Sequence, residues 1–383
     1  MTIDHTLDQS RHRTHHTRRA RRAMVAGLLA CAVVGASALP AAADDRGRGH
    51  VAVSQTNLVA NRDGFGASIV DPSLVNAWGM SKFPTSPVWV SDNGTGLTTL
   101  YTGGGAAAPT GVTKVALTVS IAGAPTGQVA NNSTGFALAG GSVTRFIFAT
   151  EQGQIFAWGP SAGTTAQLAA TVPNGDFKGL AQVANGTNPW LLAADFTNGS
   201  IDVWDSAWNP VTMPGAFTVP FLPRGFAPFN VQTLRDANGA DHVFVAYAKR
   251  DPKTNDEVDG HGLGLIAEFT PMGRLVHLMW SPALNAPWGL AYAPSTWGRA
   301  AGDLLVGQFG SGKIVMFDAR GHDQGLVRDA NNRTLVIDGL WALMPGDATA
   351  GGAGSMLFTA GPNDEADGLY GVLSFLPAVQ HGD

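Results

Sequence analysis

Nine polar side chains recur at matching places along this chain, and together they could do chemistry. Asp92, Glu151, Asp195, Lys249, Gln308 and Asn363 follow the second strand pattern of six successive repeats, while Asn76, Lys178 and Asn230 lie beside the first. If the repeats share one axis, these groups form a polar ring at its mouth. Carboxylate and amide oxygens suit Ca²⁺, which takes about six to eight of them in flexible geometry, and Glu151, Asp195 and Asn230 are the candidate ligands. A cation there could polarise a carbonyl while Asp195 or Glu151 activates water. Each residue also has a plainer role open to it, because Asp or Asn after a strand often caps its own turn.

No short catalytic motif accompanies the ring: there is no Gly-x-Ser-x-Gly elbow, no His-Glu-x-x-His, no Walker loop and no dinucleotide fingerprint. His50, His242, His261, His277, His322 and His381 show no metal-binding spacing.

The elements that must position the ring are legible as repeats. Six apolar phrases, usually ending in a small residue, each precede a strand-turn-strand pattern: Asn76 to Met80, Thr134 to Leu138, Phe177 to Ala181, Phe229 to Thr233, Pro287 to Ala291 and Leu340 to Met344. Short strands repeating every roughly 40 to 60 residues are the mark of a β-propeller. The expected fold is therefore all-β, a six-bladed propeller of four-stranded antiparallel blades. In the fourth repeat a polar insertion, Lys249 to Gly262, separates the strands, and its acidic run Asp251 to Asp259 reads as a solvated loop. The segment Val51 to Ala60 is expected to close the last blade, removing an exposed edge. The 49 Gly and 22 Pro fit many tight turns, and 44% hydrophobic residues with ten tryptophans argue against disorder. Trp78, Trp288 and Trp341 occupy similar repeat positions, either as wedges between blades or as an aromatic platform for a flat ligand.

The N-terminus has the plan of a secretory signal: basic Arg11 to Arg22, apolar Ala23 to Leu39, and the small residues Ala41 to Ala43. The expected organisation is a signal peptide over 1–43, a linker over 44–50, one propeller over 51–377 and a tail over 378–383. Arg21-Arg22 leaves twin-arginine export open beside the general route, and a short membrane anchor is the alternative to cleavage. Cleavage removes six of the 24 basic residues, two of the 29 acidic ones and the single cysteine. The exported chain is then acidic, lacks thiol chemistry, and is unsuited to nucleic acid, which needs clustered Lys and Arg. It is expected to be a monomer, periplasmic or secreted, with no inserted segment.

The run Asn57 to Asn61, then Asp71-Pro72-Ser73-Leu74-Val75-Asn76-Ala77-Trp78-Gly79-Met80 and Trp89 to Gly96, resembles the opening of a family of exported bacterial propeller proteins defined by sequence alone. Phe177-Lys178-Gly179-Leu180-Ala181, Ala194-Asp195-Phe196, Asn230-Val231-Gln232 and Gly361-Pro362-Asn363 extend the likeness over most of the chain. This resemblance implies export and a propeller fold, and no particular reaction. More distantly, the Gly-Leu-Ala phrases look like NHL-type repeats and calcium-dependent lactonase propellers, which hold one ion with a Glu, two Asn and an Asp. That likeness implies a comparable part for Glu151, Asp195, Asn230 and Asn76, although Lys178 and Lys249 near the same mouth disfavour a cation. Two functions follow as expectations: a binding or scaffold propeller for a glycan, peptide or protein partner, or a metal-dependent hydrolase of lactones or esters.

Overall fold

The computed structural model describes residues 50–105, 111–184 and 189–377; the expected signal peptide, most of the linker and the C-terminal tail lie outside them. Six antiparallel sheets stand in a ring, each innermost strand packing on the next, with the sixth against the first. Among the described residues there is no α-helix.

Blade 1 runs outward through Ala77–Ser81, Val88–Asp92 and Leu97–Thr102, with its edge made by Thr113–Lys114 and Val119–Ser120. Blade 2 comprises Pro125–Ala130, Phe146–Thr150, Gln154–Trp158 and Gln167–Thr171; blade 3 comprises Phe177–Val183, Trp190–Asp195 and Ser200–Trp204, with a bridge from Trp204 to Pro210 beyond. Blade 4 is Phe226–Arg235, Asp241–Lys249, Gly264–Phe269 and Leu275–Met279, and blade 5 is Pro287–Tyr292, Leu304–Gln308, Ile314–Phe317 and Asp323–Leu326. Blade 6 has Leu340–Pro345, Met356–Ala360 and Leu369–Leu376, and Ala52–Ala60 pairs antiparallel with the last of these. The ring is thus closed by chain ends, as the Val51 to Ala60 pattern predicts.

One irregularity repeats in all six blades. The pairing between the innermost strand and its neighbour slips between Ala77 and Met80, Pro125 and Gln128, Phe177 and Gly179, Pro228 and Asn230, Pro287 and Leu290, and Leu340 and Leu343. A bulge leaves extra residues outside the ladder and bends the strand. Here it presents Trp78, Thr126, Lys178, Phe229, Trp288 and Trp341, all buried, one from each blade. Contacts between non-adjacent blades place them at the axis: Trp78 and Trp288 approach to 6.5 Å between ring centroids, and Phe229 and Trp341 to 5.9 Å. Trp341 stacks on Trp78 at 3.7 Å and on Phe309 at 3.9 Å. The tryptophans therefore plug the channel instead of wedging between blades. Being buried, they offer no platform for a flat ligand.

Small residues next to the bulge make this closeness feasible. A Cβ on Gly127 would lie 2.7 Å from the Cα of Gly179, and one on Gly179 would lie 2.7 Å from the Cα of Asn230. What remains of the channel further along the inner strands is a cavity of ≈ 30 Å³ lined by Gly79, Gly127, Gln128, Leu180 and Leu343 among others.

Blade 2 departs from expectation. Its inner strand is Pro125–Ala130, and Thr134 to Leu138 lies in the connection to Phe146. The reason is packing: Gly127 fits the axial position, whereas Phe136 is buried beside Trp208, 4.9 Å away.

Because Trp341 touches four aromatic rings at the axis, Trp341→Ala is expected to cost about 3–5 kcal/mol. Urea unfolding measures it, and a loss under about 1 kcal/mol would contradict the plug.

Candidate functional site

The second strand of each blade ends opposite the first residue of the inner strand, as in the pairs Ala77 with Asp92, Phe177 with Asp195, Phe226 with Lys249 and Pro287 with Gln308. The predicted ring residues therefore share one end of the propeller, its mouth face. They do not all meet there.

Lys178 is the centre of what does meet. The blade 3 bulge carries a lysine where three other blades carry tryptophan, so an ammonium enters the axis. Its Nζ lies 5.4 Å from the Trp78 ring centroid, 2.5 Å from Glu151 Oε1 and 3.3 Å from Asp176 Oδ2. The Lys178 carbonyl accepts a hydrogen bond from Trp288 Nε1 at 3.0 Å, which ties blade 3 to blade 5 across the axis.

A hydrogen-bond chain extends from this centre in two directions. Asn93 Nδ2 donates to Glu151 Oε2 at 3.3 Å, Asn76 Nδ2 to Asn93 Oδ1 at 3.1 Å, and Trp341 Nε1 to Asn76 Oδ1 at 2.8 Å. On the other side Asn255, from the blade 4 insertion, donates Nδ2 to Asp176 Oδ2 at 2.7 Å and to Thr197 Oγ1 at 2.8 Å. Asn255 Oδ1 accepts from Arg250 at 2.8 Å, and its φ of 62° bends the loop inward. The insertion is thus anchored to the axis, while its Lys253, Thr254, Asp256 and Asp259 side chains face solvent.

One ammonium cannot neutralise both of its carboxylates. Burial works against the charge on Lys178, yet Glu151 and Asp176 hold its pKa above the ordinary lysine value. Burial pushes the Asp176 carboxyl up to about 7; Lys178 opposes this, and repulsion from Glu151 and Asp195 adds to it. Asp176 Oδ1 has no hydrogen-bond partner among the described residues, which leaves it the natural place for a proton.

The remaining candidates serve their own blades. Asp195 accepts from the Asn198 backbone N–H at 2.9 Å and its Nδ2 at 2.8 Å, the turn-capping role. Asp92 accepts from Thr99 Oγ1 at 3.2 Å, and burial holds its carboxyl well above the usual range. Asn230 donates to the Trp288 carbonyl at 2.7 Å and accepts from the Val231 N–H. Lys249 donates to the Arg224 carbonyl at 2.7 Å, Gln308 accepts from the Asn285 N–H at 2.8 Å, and Asn363 donates to Asp367 at 2.5 Å. Asp367 in turn pairs with Arg62 at 2.6 Å, so Asn363 belongs to the seam of blade 6. Asp176, Asn93 and Asn255 complete the site and escape the repeat pattern; the one signal for Asp176 is its place just before the Phe177 phrase.

This donor set does not fit Ca²⁺. Both Glu151 oxygens, both Asp195 oxygens and the Asn230 amide are already engaged, and any cation beside Glu151 would face the Lys178 ammonium. Among the described residues no three His, Cys, Asp or Glu side chains are placed to hold a metal ion.

No protein-family model matches the chain. The uncharacterized protein L690 of Acanthamoeba polyphaga mimivirus is 30% identical over 338 residues, covering 82% of this chain and 84% of that protein. The uncharacterized protein R648 of the same virus is 29% identical over 328 residues, covering 82% and 78%. Among solved structures, the chain resembles a protein of unknown function from Bacteroides thetaiotaomicron, with TM-score 0.51, 11% identity and coverage of 84% of this chain and 76% of that one. It also resembles the GH93 α-L-arabinofuranosidase of Fusarium graminearum in complex with arabinobiose, with TM-score 0.50, 8% identity and coverage of 84% and 97%. At these identities the structures share the fold alone.

An acid whose pKa is raised on folding binds its proton more tightly in the folded chain. Its stabilising contribution is complete below the unfolded value near 4 and is lost as pH rises through about 7. Asp176→Asn should therefore flatten the fall in melting temperature between pH about 4 and about 7 relative to the wild type. Parallel curves for the two proteins would refute the assignment.

Proposed function

The chain belongs to the family of the mimivirus protein L690, and on that premise we propose that it is an exported binding propeller whose mouth face engages a glycan, peptide or protein partner. The affiliation with exported bacterial propellers and the signal peptide over 1–43 form part of this proposal, supported by the basic, apolar and small-residue plan of the N-terminus. The observation that carries it is the closed axis. Buried aromatic rings fill the channel, Glu151 and Asp176 pair with Lys178, and Asp195 holds its own turn, so the mouth favours surface contact over a deep reaction cleft. Exposed Asp256, Asp259, Asp338 and Asp364 make that face acidic, which favours a polypeptide with basic residues.

Hydrolysis of a lactone or ester is the second function, and one observation favours it. Asp176 titrates near 7 beside Glu151, and a carboxyl poised near neutrality is suited to proton transfer. In that case Asp176 replaces Asp195 as the acid-base group, since the Asp195 oxygens hold their turn.

Peptide and glycan arrays distinguish the two. Binding to basic peptides is expected, weakened about tenfold or more by Asp256→Lys combined with Asp364→Lys, with no turnover on a lactone panel. Turnover abolished by Asp176→Asn, without array binding, would overturn the binding function.

A further inference from the structure

A second concavity opens on the mouth face, away from the axis, with a volume of ≈ 280 Å³. This approaches the roughly 300 Å³ at which small-molecule sites begin. Three elements build it: His261 from the blade 4 insertion, Pro282, Ala283 and Asn285 from the connection between blades 4 and 5, and Ser311, Lys313 and Leu326 from blade 5. The insertion supplies His261 to one side.

The lining is chemically lopsided. Pro282, Ala283 and Leu326 make an apolar body, and no carboxylate lines it. Lys313 is half-buried, and its ammonium has no ion pair or hydrogen bond among the described residues. The Ser311 Oγ is buried without a hydrogen-bond partner among the described residues. A buried hydroxyl left unsatisfied is uncommon in a folded protein and calls for an explanation. Asn285 has its Oδ1 occupied by the Gly260 N–H at 2.7 Å, which fixes the amide and leaves its NH₂ as a donor. Lys313, Ser311 and the Asn285 NH₂, set against an apolar wall, define a complement for an organic anion.

We propose that this pocket binds a small carboxylate with an apolar body, its carboxylate taken by Lys313 and Ser311 and its body lying on Pro282, Ala283 and Leu326. The pocket is separate from the Lys178 centre and does not depend on the partner proposed for the mouth. His261 stands at its solvent-exposed rim.

The probe is 4-phenylbutyrate, with its neutral amide as the control, titrated calorimetrically into the full chain. Binding of the acid and at least tenfold weaker binding of the amide are expected. Lys313→Met should weaken the acid about tenfold or more, as loss of a charge-assisted hydrogen bond does. Leu326→Trp, which fills the pocket from its apolar side, should abolish binding with the melting temperature unchanged. Lys178→Met, if folded, should bind the probe as the wild type does. No binding at millimolar probe, equal binding of the amide, or full affinity in Lys313→Met would each overturn the proposal.

Discussion

The architecture depends on how closely six strands can approach one axis. Every inner strand is bulged at the same place, and a Gly or Ala beside the bulge in most blades lets backbone meet backbone where a larger side chain would collide. The bulge turns one side chain per blade inward. With the strands this close, those side chains must fill the space without overfilling it, since interiors pack near crystal density. Three tryptophans, a phenylalanine, a threonine and a lysine do so. The closing strand Ala52–Ala60 then has a finished ring to seal.

The lysine is the costly member of that set. A charge taken out of water is tolerated only with partners, and Lys178 gathers Glu151 from blade 2, Asp176 from its own blade and the face of Trp78 from blade 1. This gathering over-supplies negative charge, so the more buried carboxyl, that of Asp176, holds its proton up to about pH 7. Asp176 in that state still accepts from Asn255, and through that bond the blade 4 insertion is held over the mouth. The electrostatic state of the axis and the position of the blade 4 insertion are therefore linked by one carboxyl.

What could be read from the amino-acid order was local. The strand-turn-strand repeats and the closing segment Val51 to Ala60 follow from alternation and turn residues within a few positions, and these predictions match the observed ladders. A bulge leaves no such trace, because the residues flanking it alternate as before. Trp78, Trp288 and Trp341 can thus be matched to one another but not aimed, and the aromatic filling of the axis leaves no trace in the order of residues. Thr134 to Leu138 mimicked an inner strand because its apolar residues have the right type, while the real one, Pro125–Ala130, is small and polar. At the site, Asn76, Glu151 and Lys178 were found by their repeat positions. Asp176, Asn93 and Asn255 were not, since they come together only through contacts between residues up to 79 positions apart.

The central claim is that Lys178 lies charged within a closed axis. Lysine acylation footprinting of the native protein, read by mass spectrometry, tests it directly. Half-buried Lys313 and exposed Lys253 should label readily, while Lys178 stays unmodified until the protein is unfolded. Labelling of Lys178 at the rate of Lys253 under native conditions would contradict the closed axis.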